Sequence, residues 1–421
     1  MSVEQPATQA VITRLPDFQV HLAAWGVVFG LSLIIEAPII MLLAASTALS
    51  KDWKSFLWLR RFMMVLGAAL TALHVLVAFT PLYDVVMTAW LGSQEDIAAV
   101  IAAARPGLML MTPWTWSIAY RRFHQGVLIR FGHSRAVGSG TIVRLGSEVA
   151  VLTAGYLIGT VPGTAVAAAA IATGVMSEAL YTGLRVRPVL RDHLRGAAPA
   201  GPPLALRSYL AFYVPLSMTS LLYLLVNPII AYALSRMPEP VKSLAVWPVV
   251  SGLIFVLRSL GMAYNEVVVA LLDRPAALAA LRRFTAGLTA AVTAAMALLA
   301  ATPLANLWFA SAMGLPADLA ALARQAFWLA LPLPALNVLQ SWFQGSMVYD
   351  GRTRGITEST AVYLLASSAV MLIGALWGQL PGIYVGLAGL AVGFALQVAW
   401  LWWRSRPALA QIAAAAPGER P

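Results

Sequence analysis

The chain has 421 residues, 60% of them hydrophobic and 11% charged, with a mean hydropathy of +0.79, far outside the usage of soluble globular domains. A net charge of +11 would suit nucleic acid, but the arginines stand in short loops between apolar runs, where orientation in a membrane accounts for them. The absence of cysteine excludes a disulfide or thiolate–metal framework.

These properties describe an all-α polytopic membrane protein, and its elements follow as long apolar runs. In chain order the predicted spans are residues 21–48, 62–90, 106–131, 138–160, 163–185, 206–235, 243–271, 284–310, 324–349, 357–378 and 382–404, eleven in all. The first 18 residues are polar and lack the basic start and short apolar core of a cleavable signal peptide. Residues 191–207, RDHLRGAAPAGPPLALR, have the Pro, Gly and charge content of a linker. The expected organisation is an N-terminal lobe at 1–190 with five spans, a cytoplasmic linker at 191–206, a C-terminal lobe at 207–409 with six spans, and a cytoplasmic tail at 410–421.

The two lobes repeat one another. Arg14, Pro16, Leu22, Trp25 and Gly30 recur 222 positions later as Arg236, Pro238, Leu244, Trp247 and Gly252. Arg60-Arg61-Phe62 returns as Arg282-Arg283-Phe284, and Thr80-Pro81-Leu82 as Thr302-Pro303-Leu304. After a slip of three residues the spacing is 219, as in Pro113/Pro332, Gln125-Gly126/Gln344-Gly345, Pro162-Gly163/Pro381-Gly382, Gly174/Gly393 and Arg187-Pro188/Arg406-Pro407. The basic clusters fall at matching places in both halves and assign one face as cytoplasmic, with the C-terminus inside and the N-terminus formally outside. An even number of spans per unit makes the repeats parallel, related by an axis along the membrane normal.

Span 206–235 precedes the second copy and has no full counterpart before the first, where Ala10 to Thr13 align with its last turn. The expectation is a twelve-helix protein shortened at its start, through a start codon assigned downstream of the true one, or a natural eleven-helix form in which lipid or a partner subunit fills the place.

With RRF after the second helix of each unit, and FHQGVLIRFGHSRA and FQGSMVYDGRTRG at the cytoplasmic end of the fourth, the chain resembles the multidrug and toxic compound extrusion (MATE) fold of the multidrug/oligosaccharidyl-lipid/polysaccharide flippase (MOP) superfamily. The stretch from LAFYVPLSMTSLLYLLVNPIIAYALSRMPEP through YNEVVVALL is most similar to the progressive ankylosis branch. The resemblance implies a secondary transporter that alternates access through a cleft between lobes, in some members coupled to protons or sodium, with organic-anion export in the ankylosis branch. Several members carry a coupling carboxylate on their first helix, and no residue here can take that role.

Candidate sites are ionisable residues at membrane depth, which are costly there. Glu36 lies fifteen residues from both His21 and Lys51, and its repeat counterpart is Arg258. The two read either as a substrate-orienting or gating pair on helices that border the cleft in the resembled fold, or as two residues each neutralised inside its own lobe. Arg121 and Arg122 have the neutral counterparts Gln340 and Ser341, and Glu178 has Gln397. Arg144 and Glu148 share a helix face as a potential i,i+4 ion pair. His74, opposite Met296, reads as a proton carrier or as a hydrogen-bond donor inside the lobe. Substrate binding or gating is thus assigned to Glu36, Arg258, Arg121, Arg122, Asn227 and Glu266, and ion or proton coupling to Glu36, Glu148, Glu178 and His74. Asn227-Pro228 enters because a proline can bend a span and free backbone carbonyls, and Glu266 because it lies two turns from Arg258.

No Walker loop, metal-spaced cluster or nucleophile elbow is present, and no loop is long enough to house a lipid transferase site. The expected function is export of a small organic solute, with no cofactor or metal, by proton or sodium coupling. Arg121, Arg122, Arg144 and Arg258 favour an anion, because guanidinium grips carboxylate and phosphate bidentately. Cationic drug export and lipid-linked precursor flipping are the alternatives. The expected partners are the solute and membrane lipids, not nucleic acid, and the protein is expected to act as a monomer. The Ala, Leu and Arg richness suggests a GC-rich bacterial genome and hence a bacterial inner membrane.

Overall fold

The computed structural model describes residues 4–197, 205–272, 277–350 and 354–415, so part of the expected linker, residues 198–204, and the end of the tail lie outside the described residues. All elements among them are helical. Ten helices are long and apolar enough to cross a membrane, and a bent pair supplies an eleventh span. The chain divides into two compact units, Val11–Pro228 and Ile229–Pro421, with Met1–Ala10 belonging to the latter.

From its start the chain forms α1 (Glu4–Ile12), α2 (Phe18–Ile40) and its continuation α3 (Leu42–Leu49), α4 (Trp53–Phe79), α5 (Leu82–Leu91), α6 (Glu95–Leu110), α7 (Thr112–Arg130), α8 (Ser134–Ile158), α9 (Gly163–Val189) and α10 (Leu206–Leu224). A capping box starts α4, with Asp52 accepting the Ser55 N–H at 2.8 Å and Ser55 Oγ accepting the Asp52 N–H at 3.0 Å. Helix α9 is the buried centre of the first unit. Its alanines and Gly174 let neighbours approach closely, and 67% of its apolar window is covered, against 22% for α8. The outer face of α8 shows Ile142, Val149 and Leu157, the surface expected against lipid tails. Arg130 closes the end of α3, donating to the carbonyls of Thr47 at 2.8 Å and Ala48 at 3.1 Å, two of the acceptors a helix end leaves unpaired. Helix α10 docks on this unit through aromatic edges: Tyr209 meets Trp58 at 4.9 Å and Phe62 at 4.7 Å, and the Tyr213 hydroxyl donates to the Pro38 carbonyl.

The chain continues with α11 (Val226–Leu234), α12 (Pro240–Leu271), α13 (Ala277–Ala301), the short α14 (Leu304–Asn306), α15 (Ala317–Phe327), α16 (Leu333–Tyr349), α17 (Arg354–Trp377) and α18 (Gly382–Ala415). A core of Tyr264, Val268, Val338, Trp342, Met347 and Leu401 joins α12, α16 and α18. In the same unit Gln9 of α1 donates to the Pro248 carbonyl at 3.1 Å.

Four predicted spans change shape. Residues 62–90 and 284–310 are each broken at the repeated Thr-Pro-Leu, because proline has no N–H to continue the ladder. Both breaks are closed alike: Thr80 Oγ1 donates to Leu76 O at 2.6 Å and accepts Leu82 N–H at 3.2 Å, while Thr302 Oγ1 donates to Leu298 O at 2.7 Å and accepts Leu304 N–H at 3.4 Å. The span expected at 106–131 begins earlier, at Glu95, and bends by 46° between α6 and α7. There Pro113 stands in the first turn of the new helix and the Thr112 hydroxyl takes the Met109 carbonyl. Its counterpart at 324–349 starts at Ala317 and passes through a 3₁₀ turn, Trp328–Ala330, before Pro332.

The repeat is carried by backbone and packing as well as by sequence. Asp17 (φ 50°) and Glu239 (φ 53°), 222 apart, both adopt the left-handed conformation just before α2 and α12, one that costs a non-glycine residue roughly 1–2 kcal/mol. Gly159 (φ 69°) and Gly378 (φ 63°), 219 apart, cap α8 and α17 in the same left-handed way. Gly155 packs on Val166 as Gly374 does on Val385, Gly126 lies against α3 as Gly345 lies against α12, and Gly163 abuts Ile12 as Gly382 abuts Leu234.

Candidate functional site: a buried charge cluster in the first unit

Four helices of the first unit, α2, α7, α8 and α9, converge on three arginines and three glutamates. On α7, Arg121 and Gln125 stand one turn apart and reach the same residue of α9: Arg121 Nη1 donates to Glu178 Oε2 at 2.5 Å and Gln125 Nε2 to Glu178 Oε1 at 2.9 Å. From α8, Arg144 Nε donates to Glu148 Oε1 at 3.0 Å, and Arg144 Nη1 lies 3.6 Å from Glu178 Oε2. These five side chains are at most 5% exposed. Glu36 of α2, also buried, stands in the field of Arg122 and Arg121, and Arg122 is acted on by both Glu36 and Glu178.

Local sequence explains the convergence. A four-residue spacing puts Arg121 with Gln125 and Arg144 with Glu148 on single helix faces. Glycines then make room: a Cβ at Gly174 would collide with the Glu148 side chain, and one at Gly140 would touch Glu178 Cγ at 3.4 Å. The formal charges balance, yet Glu36 Oε2, Arg121 Nε and Nη2, and Arg122 Nε are buried without a hydrogen-bond partner among the described residues. Buried polar atoms are ordinarily paired, so the cluster retains capacity for a proton, a cation at Glu36, or an anionic group at the guanidinium edges.

The other candidates fall elsewhere. His74 is fully buried, with Nδ1 2.8 Å from Thr115 Oγ1 and Nε2 3.1 Å from Leu108 O. The carbonyl can only accept, so Nε2 carries the proton and Nδ1 accepts from the hydroxyl. Both nitrogens serve to brace the α6–α7 bend. Arg258 of α12 lies over the Phe394 ring at 4.2 Å within the second unit, with its Nε buried and without a hydrogen-bond partner among the described residues. Asn227 is exposed at the start of α11, and the adjacent Pro228 carbonyl accepts from Trp90 Nε1 at 2.8 Å. Glu266 belongs to α12, but its side chain lies outside the described residues. The i,i+4 pair of Arg144 and Glu148 is present as its spacing suggests. Gln125 enters as a site residue that sequence reasoning passed over, although its position one turn beyond Arg121 was the available signal.

Duplicated bundles, each broken at its Thr-Pro-Leu, can be compared with solved structures. Over 99% of this chain and 96% of the other, the structure superposes with an inward-facing multidrug resistance MATE family transporter of the MOP superfamily at a TM-score of 0.75 and 14% identity. The fold is that of MATE transporters. It is shared with the lipid II flippase MurJ in an inward closed conformation, at a TM-score of 0.72, 11% identity and coverage of 98% of this chain and 88% of that one. An outward-facing MATE family transporter matches at 0.63 and 16% identity, covering 98% and 93%. No protein-family model and no curated protein matches the sequence. The MATE-like fold and the ten apolar helices make this a multi-pass membrane protein.

Proposed function

We propose that this protein is a secondary transporter that exports a small organic anion by alternating access, with the charge cluster of the first unit handling a coupling proton or sodium ion. The observation that carries this reading is the cluster itself. Six ionisable side chains stand inside apolar spans, where each is expensive, while five of their counterparts in the second unit are the neutral Gln340, Ser341, Tyr363, Ser367 and Gln397, only Glu36 matching a charged residue, Arg258. A group retained at such cost and unnecessary to the fold is a functional candidate.

The anionic character of the solute rests on two arginines. Arg121 and Arg144 are bonded to glutamates of their own unit, which leaves Arg122 and Arg258, both partly exposed and each with a buried Nε that has no partner among the described residues. Similarity of the second half to the progressive ankylosis branch supports the same class, and the composition supports a bacterial inner membrane. The shared fold of the lipid II flippase MurJ keeps a lipid-linked precursor as the competing solute.

The test is uptake into proteoliposomes of a panel of organic anions, organic cations and a lipid-linked sugar, with imposed proton and sodium gradients. Gradient-driven movement of an anion is expected, abolished by Arg258→Ala and barely restored by Arg258→Lys, whose point charge lacks bidentate geometry. Movement of cations alone overturns the anion assignment. Unaltered gradient dependence after Glu36, Glu148 and Glu178 are all changed to Gln overturns the role of the cluster.

A further inference from the structure

A second place where the units differ lies away from the charge cluster, on the outer side of α7 and α9. In the second unit, Trp402 and Trp403 stand one turn before Arg406, and the Arg406 guanidinium lies 3.8 Å over the Trp402 ring. At the matching positions of the first unit stand Gly183, Leu184 and Arg187. Between α7 and α9 of the first unit lies a groove of about 230 Å³ lined by Trp116, Tyr120, Leu180, Gly183 and Leu184, with Arg187 at its rim. The Tyr120 hydroxyl sits directly over the Gly183 backbone, so no side chain fits there without displacing it.

The chemistry along the groove is graded. Met176, Leu180 and Leu184 form an exposed apolar row at four-residue spacing along α9, and the row ends at exposed Arg187, which has no ion-pair partner among the described residues. Arg187 stands in the last turn of α9 near Arg185, and Arg191 and Arg195 follow in the chain. An exposed apolar row leading to an unpaired cation near the end of a span matches a lipid: the acyl chain covers the row and an anionic phosphate meets the guanidinium. Basic pockets between transmembrane helices recognise anionic headgroups in this way.

The geometry points to a specific site for an anionic phospholipid in the α7–α9 groove, with the headgroup phosphate on Arg187 and one acyl chain along Leu184 and Leu180. In the second unit the matching cation, Arg406, is engaged by the exposed Trp402 ring instead.

The full-length protein, extracted and exchanged into equal amounts of phosphatidylglycerol and phosphatidylcholine, is examined by native mass spectrometry for bound lipid. The wild-type protein retains phosphatidylglycerol in preference. Arg187→Gln reduces that preference about fivefold, the factor a single surface cation contributes toward anionic lipid, while Arg185→Gln leaves it unchanged. Leu184→Trp, which borrows the residue found at position 403 on an exposed face, lowers occupancy by both lipids. Undiminished preference in Arg187→Gln, an equal loss in Arg185→Gln, or full occupancy in Leu184→Trp would each overturn the site.

Discussion

Helices α7, α8 and α9 of the first unit meet around Arg121, Arg144, Glu148 and Glu178, whereas the matching helices α16, α17 and α18 meet around Gln340, Tyr363, Ser367 and Gln397. The surrounding scaffold is the same down to its glycines. Gly174 leaves room for Glu148 as Gly393 leaves room for Ser367, and both units use the same left-handed caps. Polar satisfaction differs in kind. Glu178 accepts from two side chains, while Gln397 Oε1 and Ser367 Oγ have no partner among the described residues. Shared packing with divergent polarity teaches that the fold does not depend on the charges, so their presence in one unit calls for a chemical reason.

The contrast breaks most visibly at Glu178. Glu178→Ala leaves Arg121 and Gln125 without their acceptor and is expected to destabilise the protein by about 3–5 kcal/mol, the range for removing one partner of a buried pair. Gln397→Ala, at the matching position, is expected to cost far less. The double change Arg121→Gln with Glu178→Gln makes the first unit resemble the second and should melt closer to wild type than Glu178→Ala. Thermal unfolding of the purified protein in detergent measures all three, and a double variant no more stable than Glu178→Ala would show that the ion pair is not what the scaffold tolerates losing.

A smaller effect is expected at Gly174. Gly174→Ala forces a methyl group into the Glu148 side chain, an overpacking that costs about 1–3 kcal/mol. In a Glu148→Ala background the colliding atoms are gone, so most of that cost should vanish, and a double-mutant cycle reads the coupling. Additive losses would place the strain elsewhere.

An effect no larger sharpens the boundary of the cluster. His74→Met, which installs the residue found at the counterpart position 296, removes two hydrogen bonds and should cost about 1–3 kcal/mol. Because both ring nitrogens are occupied by Thr115 and Leu108, the pH profile of transport should stay in place. A displaced profile would bring His74 into the proton path.

The sequence made the spans and their duplication legible, since hydropathy and a fixed spacing need only one dimension. It also revealed the Arg144–Glu148 pair, which lies within a single helix. Arg121 and Glu178 are 57 residues apart, and periodicity tells which face a residue occupies but not which helix it meets, so their bond was not readable. The breaks after Phe79 and Ala301 were hidden for another reason. The apolar run continues through them, and hydropathy registers composition rather than a missing N–H. The repeated Thr-Pro-Leu was the local sign available in both places.

Arg130 has a consequence in time as well as in space. A cation at the end of a span biases that span's orientation during insertion, before any tertiary contact exists. In the finished protein the same guanidinium holds the last carbonyls of α3, donated from a helix more than eighty positions along the chain. The residue therefore acts first on topogenesis and later as a clasp, and the two duties have different chemical requirements. Lysine meets the first, which asks only for a cation. The second asks for a donor that spans adjacent carbonyls, so replacing Arg130 with lysine should yield correctly oriented protein whose α3 end frays.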